Sequence, residues 1–149
     1  MILVRIAVLT TLVLPFRFTP SAAQSPADRE GVRQAVLDYV EGFYEGDSTR
    51  FIRSVRPEVD KLGFWHGKDG TYQGGPFTWQ QFFGFARRVR SGQEKTPANA
   101  PKQIVVFDVQ DQTASAKLTA YWGTDYFLLA KYDGKWMIRH VLWQEPPKT

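Results

Sequence analysis

The sequence predicts an α+β fold in which three N-terminal helices cover one face of a curved antiparallel sheet. Apolar residues recur at helical spacing as far as Val89, and they alternate with polar residues from 113 to 122. Asp133-Gly134 is a strong signal for a two-residue hairpin turn. Helices that precede the long strands, rather than alternating with them, are typical of this class. The length of 149 residues suits one domain.

The first two helices have clear start and stop signals. Ser25 can cap the first helix, and Pro26 fits its first turn. Gly46 ends this helix, and Asp47 caps a second, short helix that must end before Pro57. Apolar residues form one stripe along the first helix: Val32, Ala35, Val36, Tyr39, Val40, Phe43 and Tyr44.

The third helix is predicted to begin at a capping box formed by Thr78 and Gln81 and to end at Gly92. Before it, we expect residues 62–66 to form a short strand and the glycine-rich segment 67–76 to form turns. The remaining strands, joined by very short turns, are predicted at residues 104–109, 113–122, 125–132 and 135–143.

Residues 1–23 predict a secretory signal peptide, with a positive Arg5, an apolar stretch and cleavage after Ala23. The stretch is too short to span a bilayer, so we expect residues 24–149 to be a secreted or periplasmic domain without a membrane segment. Cleavage lowers the formal net charge from +4 to +2, which is too small to indicate nucleic-acid binding. Cysteine is absent and only two histidines occur, so neither a metal nor a cofactor is predicted.

Counting residues away from the short turns predicts which side chains share a face of the sheet. One face is then almost entirely apolar, and we expect the helices to cover it. Asp125 and His140 are its polar exceptions, with backbones about 7–8 Å apart in this register. The predicted pairs are Leu129 with Ile138, Phe127 with His140, Trp122 with Asp125, and Phe107 with Ala116.

A carboxylate and an imidazole on an apolar wall indicate a ligand-binding site, because small alanines on the same face leave room for a ligand. His66 shares the face of Leu62 and Phe64, and we expect it to lie at the rim rather than to complete a metal site. The residues expected to bind the ligand are Tyr39, Phe83, Trp122, Asp125, Phe127 and His140.

Two functions are compatible with such a site. One is an exported binding protein that holds an apolar or aromatic molecule. The other is an acid–base enzyme, an isomerase or dehydratase, with Asp125 as the base and His140 as its partner or proton donor. A third reading is purely structural: Asp125 bonds to the backbone or to Tyr39 and does no chemistry.

The opposite, outer face of the sheet combines polar residues with large side chains of the types that are enriched in interfaces. We expect this face to form a homodimer interface, because large apolar patches left in water usually mark interaction sites. The side chains expected there are Tyr121, Tyr126, Tyr132, Met137, Val141 and Trp143.

Three segments resemble the nuclear transport factor 2-like superfamily, and within it the SnoaL-like and Putative lumazine-binding branch. They are residues 38–47, which end a helix in a Gly-Asp turn, residues 124–129, and residues 133–138, which begin with Asp-Gly-Lys-Trp, together with residues 141–143. The resemblance covers roughly residues 28–143 and implies a cone-shaped fold, the cystatin-like roll. The superfamily includes isomerases, cyclases, dehydratases and non-catalytic binders, so the resemblance does not assign a reaction.

Overall fold

The computed structural model describes residues 25–148, in which three helices pack against one six-stranded sheet. The signal peptide predicted at residues 1–23 lies outside the described residues. The helices are α1 (Pro26–Glu45), α2 (Ser48–Ser54) and α3 (Trp79–Arg90). The strands are β1 (Val55–His66), β2 (Tyr72–Pro76), β3 (Gln103–Val109), β4 (Thr113–Ala120), β5 (Gly123–Tyr132) and β6 (Lys135–Gln144).

The strands lie in the order β2-β1-β6-β5-β4-β3. All neighbouring strands are antiparallel except β1 and β6, which run parallel. Strand β1, which directly follows α2, thus pairs with the C-terminal strand β6. This pairing between distant parts of the chain adds β1 to the predicted meander. The predicted α+β class, with a helical layer on one face of the sheet, is confirmed.

The helix ends follow their local sequence signals. The Ser25 hydroxyl accepts a hydrogen bond from the Asp28 backbone N–H at the start of α1. Gly46 ends α1 in the left-handed region with φ 68°, a conformation that a residue without Cβ adopts at little cost. Thr78 and Gln81 form the predicted reciprocal capping box of α3.

The segment between α2 and α3 contains more strand than the sequence predicts. Strand β1 begins directly after α2, rather than at residue 62. Residues 72–76, expected to be turns, form the edge strand β2. Pro76 is tolerated there because an edge strand does not need every backbone N–H in the ladder.

A β-bulge in β6 changes the predicted register. Leu129 pairs with Ile138 as predicted, but one extra residue in β6 makes Leu128 the partner of His140. The predicted pairing of Phe127 with His140 is therefore wrong. Since successive side chains point to opposite faces, the extra residue moves His140 to the outer face of the sheet.

The same bulge turns Val141 and Trp143 inward, so their predicted place on the outer face is also wrong; Val141 is buried. The predicted outer position of Tyr121 is wrong as well, because Tyr121 follows the end of β4 and packs against the core. A second bulge, in β3, pairs Ala116 with Val106 instead of Phe107. Phe107 is consequently exposed, whereas Val106 joins the core.

Strands β4 and β5 are joined through Tyr121 and Trp122 rather than through the predicted turn at 123–124. Asp125 therefore pairs with Leu118, and its predicted pairing with Trp122 is wrong. The register is displaced by an even number of residues, so Asp125 still faces the helices, as predicted.

Helices α1 and α2 approach each other closely at Gly42, where a Cβ atom would lie 2.4 Å from the buried ring of Phe51. We predict that Gly42→Ala lowers the free energy of unfolding by about 1–3 kcal/mol, because the ring is packed on all sides and has little room to move. Chemical denaturation measures the change.

Gly84→Ala, in α3, is the matched control. A Cβ atom there would lie no closer than 3.9 Å to its neighbours, which are the ends of flexible arginine side chains. This substitution should stabilise the protein by about 0.5–1 kcal/mol, because alanine is the better helix former. Equal changes in the free energy of unfolding for the two variants would show that the close contact between Gly42 and Phe51 does not restrict the residue at position 42.

Candidate functional site

The Asp125 side chain lies at the centre of a hydrogen-bond network and is fully buried. The Tyr39 hydroxyl of α1 donates to Oδ1 over 3.0 Å, and the Trp122 indole Nε1 donates to Oδ2 over 2.6 Å. The Lys61 ammonium lies 3.4 Å from Oδ1. Both carboxylate oxygens are therefore satisfied inside the protein, as a buried charge requires.

Lys61 is a functional candidate that the sequence analysis missed. It lies in β1 and pairs with Val141 of β6, which places it on the inner face with only 7% of its surface exposed. Its Nζ donates to the Tyr39 hydroxyl oxygen over 2.5 Å. Three elements far apart in sequence, α1, β1 and β5, thus meet at one proton-carrying network.

Aromatic rings surround the Lys61 ammonium. Their centroids lie between 5.1 and 5.9 Å from Nζ, a range in which a cation is attracted by the faces of the rings. The ammonium thus has rings around it and Asp125 as its ion-pair partner. The rings belong to Tyr39, Phe43, Phe77, Phe82 and Trp143.

Burial lowers the pKa of the Lys61 amine, although the neighbouring Asp125 carboxylate opposes this change. Burial also raises the pKa of the Tyr39 phenol well above its ordinary value, and the charge of Asp125 raises it further. Tyr39 is therefore a neutral phenol at physiological pH. It accepts from Lys61 and donates to Asp125 at the same time.

A cavity of about 160 Å³ lies next to this network and is partly open to solvent. Lys61 is the one formally charged residue among those that line it. The Trp143 indole Nε1 is buried without a hydrogen-bond partner in the described part of the chain. The lining residues are Phe43, Lys61, Phe77, Phe85, Tyr121, Trp122 and Trp143.

Of the residues that the sequence predicts as ligand-binding, Trp122 lines this cavity. Asp125 and Tyr39 lie behind it in the hydrogen-bond network, and Phe127 packs in the core against Tyr39. Phe83 packs against Trp79 in α3 and does not line the cavity. Most lining residues are therefore ones that the sequence did not predict, because they come together only when distant parts of the chain pack against each other.

His140 does not meet Asp125. It lies on the outer face with its side chain 48% exposed, and its Nδ1 is 3.8 Å from the Asp60 carboxylate. Asp125 points to the opposite, helix-covered side of the sheet. The predicted Asp125/His140 pair is therefore not assembled, because the bulge in β6 reverses the face of His140.

His66 forms a local cluster at the end of β1. Its backbone N–H and its Nδ1 both contact the Glu145 carboxylate, at 2.9 and 3.2 Å, and its ring packs on Tyr72. His66 is not among the residues that line the cavity next to Lys61. In the described range 25–148, no three His, Asp or Glu residues form a group that could hold a metal ion.

The fold and the cavity together define a class: α+β proteins whose helices and curved sheet enclose a site of small-molecule size. The family model described as Putative lumazine-binding matches residues 27–144. The chain belongs to this family, and the predicted membership of the nuclear transport factor 2-like (NTF2-like) superfamily is confirmed.

Solved structures share the fold. An NTF2-like protein of unknown function from Shewanella baltica is 22% identical with a TM-score of 0.63, over 85% of this chain and 99% of that chain. One from Methylobacillus flagellatus is 19% identical with a TM-score of 0.65, over 85% and 98%. A domain with a cystatin-like fold from Nostoc punctiforme is 14% identical with a TM-score of 0.54, over 83% and 80%.

At these identities, the structural similarity establishes the fold and not the ligand. No curated protein matches the chain significantly. Between residues 25 and 148, no helix is long and apolar enough to cross a membrane.

We predict that Asp125→Ala lowers the free energy of unfolding by about 3–5 kcal/mol, because it leaves the Lys61 cation and two hydrogen-bond donors buried without their partner. Asp60→Ala is the control, since this carboxylate lies on the outer face with its side chain 75% exposed. It should change stability by less than about 0.5 kcal/mol. Denaturant unfolding of both variants tests this, and similar losses would contradict a central role for Asp125.

Proposed function

We propose that the protein is an exported binding protein for a small aromatic molecule, which it holds in the cavity next to Lys61. The observation that carries this proposal is a cavity walled by six aromatic residues with one buried cation. Sites of this kind, mostly apolar with a few convergent polar groups, are typical of small-molecule binding. The family description supports ligand binding in general.

The size of the cavity limits the ligand. A volume of about 160 Å³ is close to that of an engineered apolar cavity of about 150 Å³ that binds benzene. A ligand with one aromatic ring fills such a space, and its ring can make edge-to-face contacts with the walls. Lys61 is a hydrogen-bond donor among the lining residues, so it favours a ligand that carries an acceptor atom.

The acid–base alternative required Asp125 and His140 to face one cavity, and these side chains lie on opposite faces of the sheet. We therefore base the proposal on binding alone. Its export component rests on the sequence of residues 1–23, which are outside the described range.

We predict that Phe85→Ala weakens binding of a single-ring ligand about tenfold, because each aromatic pair contributes about 0.5–1.5 kcal/mol beyond its buried area. Phe85 lines the cavity but is only partly buried, so the variant should remain folded. A panel of substituted benzenes and phenols, followed by tryptophan fluorescence and calorimetry, measures the affinities.

Leu128→Ala is the matched control, because Leu128 is exposed on the outer face of the sheet. It should leave the affinity unchanged. If no member of the panel binds the unmodified protein, or if both variants bind equally well, the cavity is not the ligand site.

We also propose that the outer face of the sheet forms a homodimer. Leu62, Leu142 and Tyr126 are successive partners across β1, β6 and β5, and all three side chains are exposed. Phe64 and Leu128 extend this apolar row. Contiguous exposed apolar side chains of this size usually mark a protein–protein interface.

Light scattering should therefore give the mass of a dimer, and the double variant Tyr126→Asp/Leu128→Asp should give a folded monomer, because two buried carboxylates would lie in the interface. Ile52→Asp provides the control. Ile52 is 61% exposed but lies on α2, in the helical layer. The Ile52→Asp variant should therefore remain dimeric. A monomeric unmodified protein at high micromolar concentration would contradict the interface.

A further inference from the structure

We propose, on the basis of the proposed binding function, that Lys61 is a reactive amine that forms a reversible imine with a small aromatic aldehyde held in the cavity. The buried hydrogen-bond network of Lys61, Tyr39 and Asp125 would then take part in a reaction as well as stabilise the fold. Lys61 joins the cavity to the network, since it both lines the cavity and contacts Tyr39 and Asp125.

The position of Nζ supports a direct approach by a ligand. Three of the rings near it, Phe43, Phe77 and Trp143, also line the cavity, and their centroids lie 5.2, 5.1 and 5.9 Å from Nζ. Nζ therefore lies among side chains that form the cavity wall. A ring placed among these side chains brings a carbonyl substituent next to the amine.

An amine must lose its proton before it attacks a carbonyl, and the network provides a path. Lys61 passes a proton to the Tyr39 oxygen over 2.5 Å while Tyr39 passes its own proton to Asp125 over 3.0 Å. A buried ion pair is thereby converted into a neutral amine and a neutral acid. Burial favours loss of the Lys61 proton, because it disfavours the charged ammonium, whereas the neighbouring Asp125 opposes this loss.

The covalent step balances without any further reactant. The Nζ lone pair forms a bond to the aldehyde carbon, the carbonyl π electrons move to oxygen, and a proton transfers from nitrogen to oxygen to give a carbinolamine. The Asp125 proton then returns through Tyr39 to the carbinolamine hydroxyl. Water leaves as the C–O bond breaks, and a protonated imine remains beside the Asp125 carboxylate.

The ligand class follows from the wall and the amine together. The aromatic walls and the volume of about 160 Å³ favour one ring. The amine requires a carbonyl group on that ring, because it reacts as a nucleophile with carbonyl compounds. An aldehyde on an aromatic ring combines these features in a single molecule.

Benzaldehyde with sodium cyanoborohydride tests the proposal, because the reductant converts an imine into a stable benzylamine. Peptide mass mapping over time then gives the labelling rate of each lysine. We expect Lys61 to be labelled at least about tenfold faster than the exposed Lys68 and Lys102, because burial lowers the pKa of the Lys61 amine and the cavity holds the aldehyde next to it.

Variants separate the reaction from folding. Lys61→Met should remove the fast label, whereas Lys117→Met, in β4 with its side chain on the outer face, should leave it unchanged. Tyr39→Phe keeps the ring but removes the short relay and leaves only the longer direct contact of 3.4 Å between Lys61 and Asp125, so it should slow labelling of Lys61 by about tenfold. An unchanged rate in Tyr39→Phe would overturn the relay.

Toluene distinguishes failure of the imine from failure of the binding function, because it fits the same space without a carbonyl group. If toluene binds in calorimetry and slows the labelling of Lys61, the proposal stands. If toluene binds but Lys61 is labelled no faster than Lys68, the imine is wrong and the binding function remains. If neither toluene nor benzaldehyde binds and Lys61 is not labelled, both are wrong.

Discussion

The architecture depends on one buried ion pair, Lys61 with Asp125. Moving two charges out of water is expensive, and the pair is tolerated only when each charge has further partners. Tyr39 and Trp122 supply them, and Tyr39 comes from α1 while the two charges come from β1 and β5. These bonds therefore fix how the first helix lies on the sheet and where β1 joins it.

The same ion pair gives the cavity its chemical character. Without Lys61, the cavity wall would consist of aromatic residues alone: three phenylalanines, one tyrosine and two tryptophans. With Lys61, a cation lies among aromatic rings. The neighbouring Tyr39 phenol stays neutral, because burial raises its pKa well above the ordinary value. In the proposed binding function, stability and ligand recognition both depend on Lys61. Substitutions of Lys61 need a stability measurement beside each binding measurement, because Lys61 lines the cavity and also belongs to the buried network.

Much of the fold was predictable, since caps, turns and alternation are local signals. The helices, the Asp133-Gly134 turn and the inward face of Asp125 all follow from them. The site was less predictable, because a bulge leaves little trace in the pattern. His140 follows Ile138 by two residues, so alternation predicts that both side chains share the inner face. The extra residue in β6 places His140 on the outer face instead. Nothing in the sequence near His140 distinguishes the two registers.

Strand β1 shows the same limit in a different form. Alternation shows that Leu62 and Phe64 share one face and Lys61 the other, but it does not show which face is covered. Burying the two apolar side chains is the natural expectation, yet both are exposed, because the parallel pairing with β6 turns Lys61 inward. One choice of face therefore produces two features: a cation beside the cavity and an apolar row on the outer surface. The cost of exposing that row would fall if a second copy of the chain covered it.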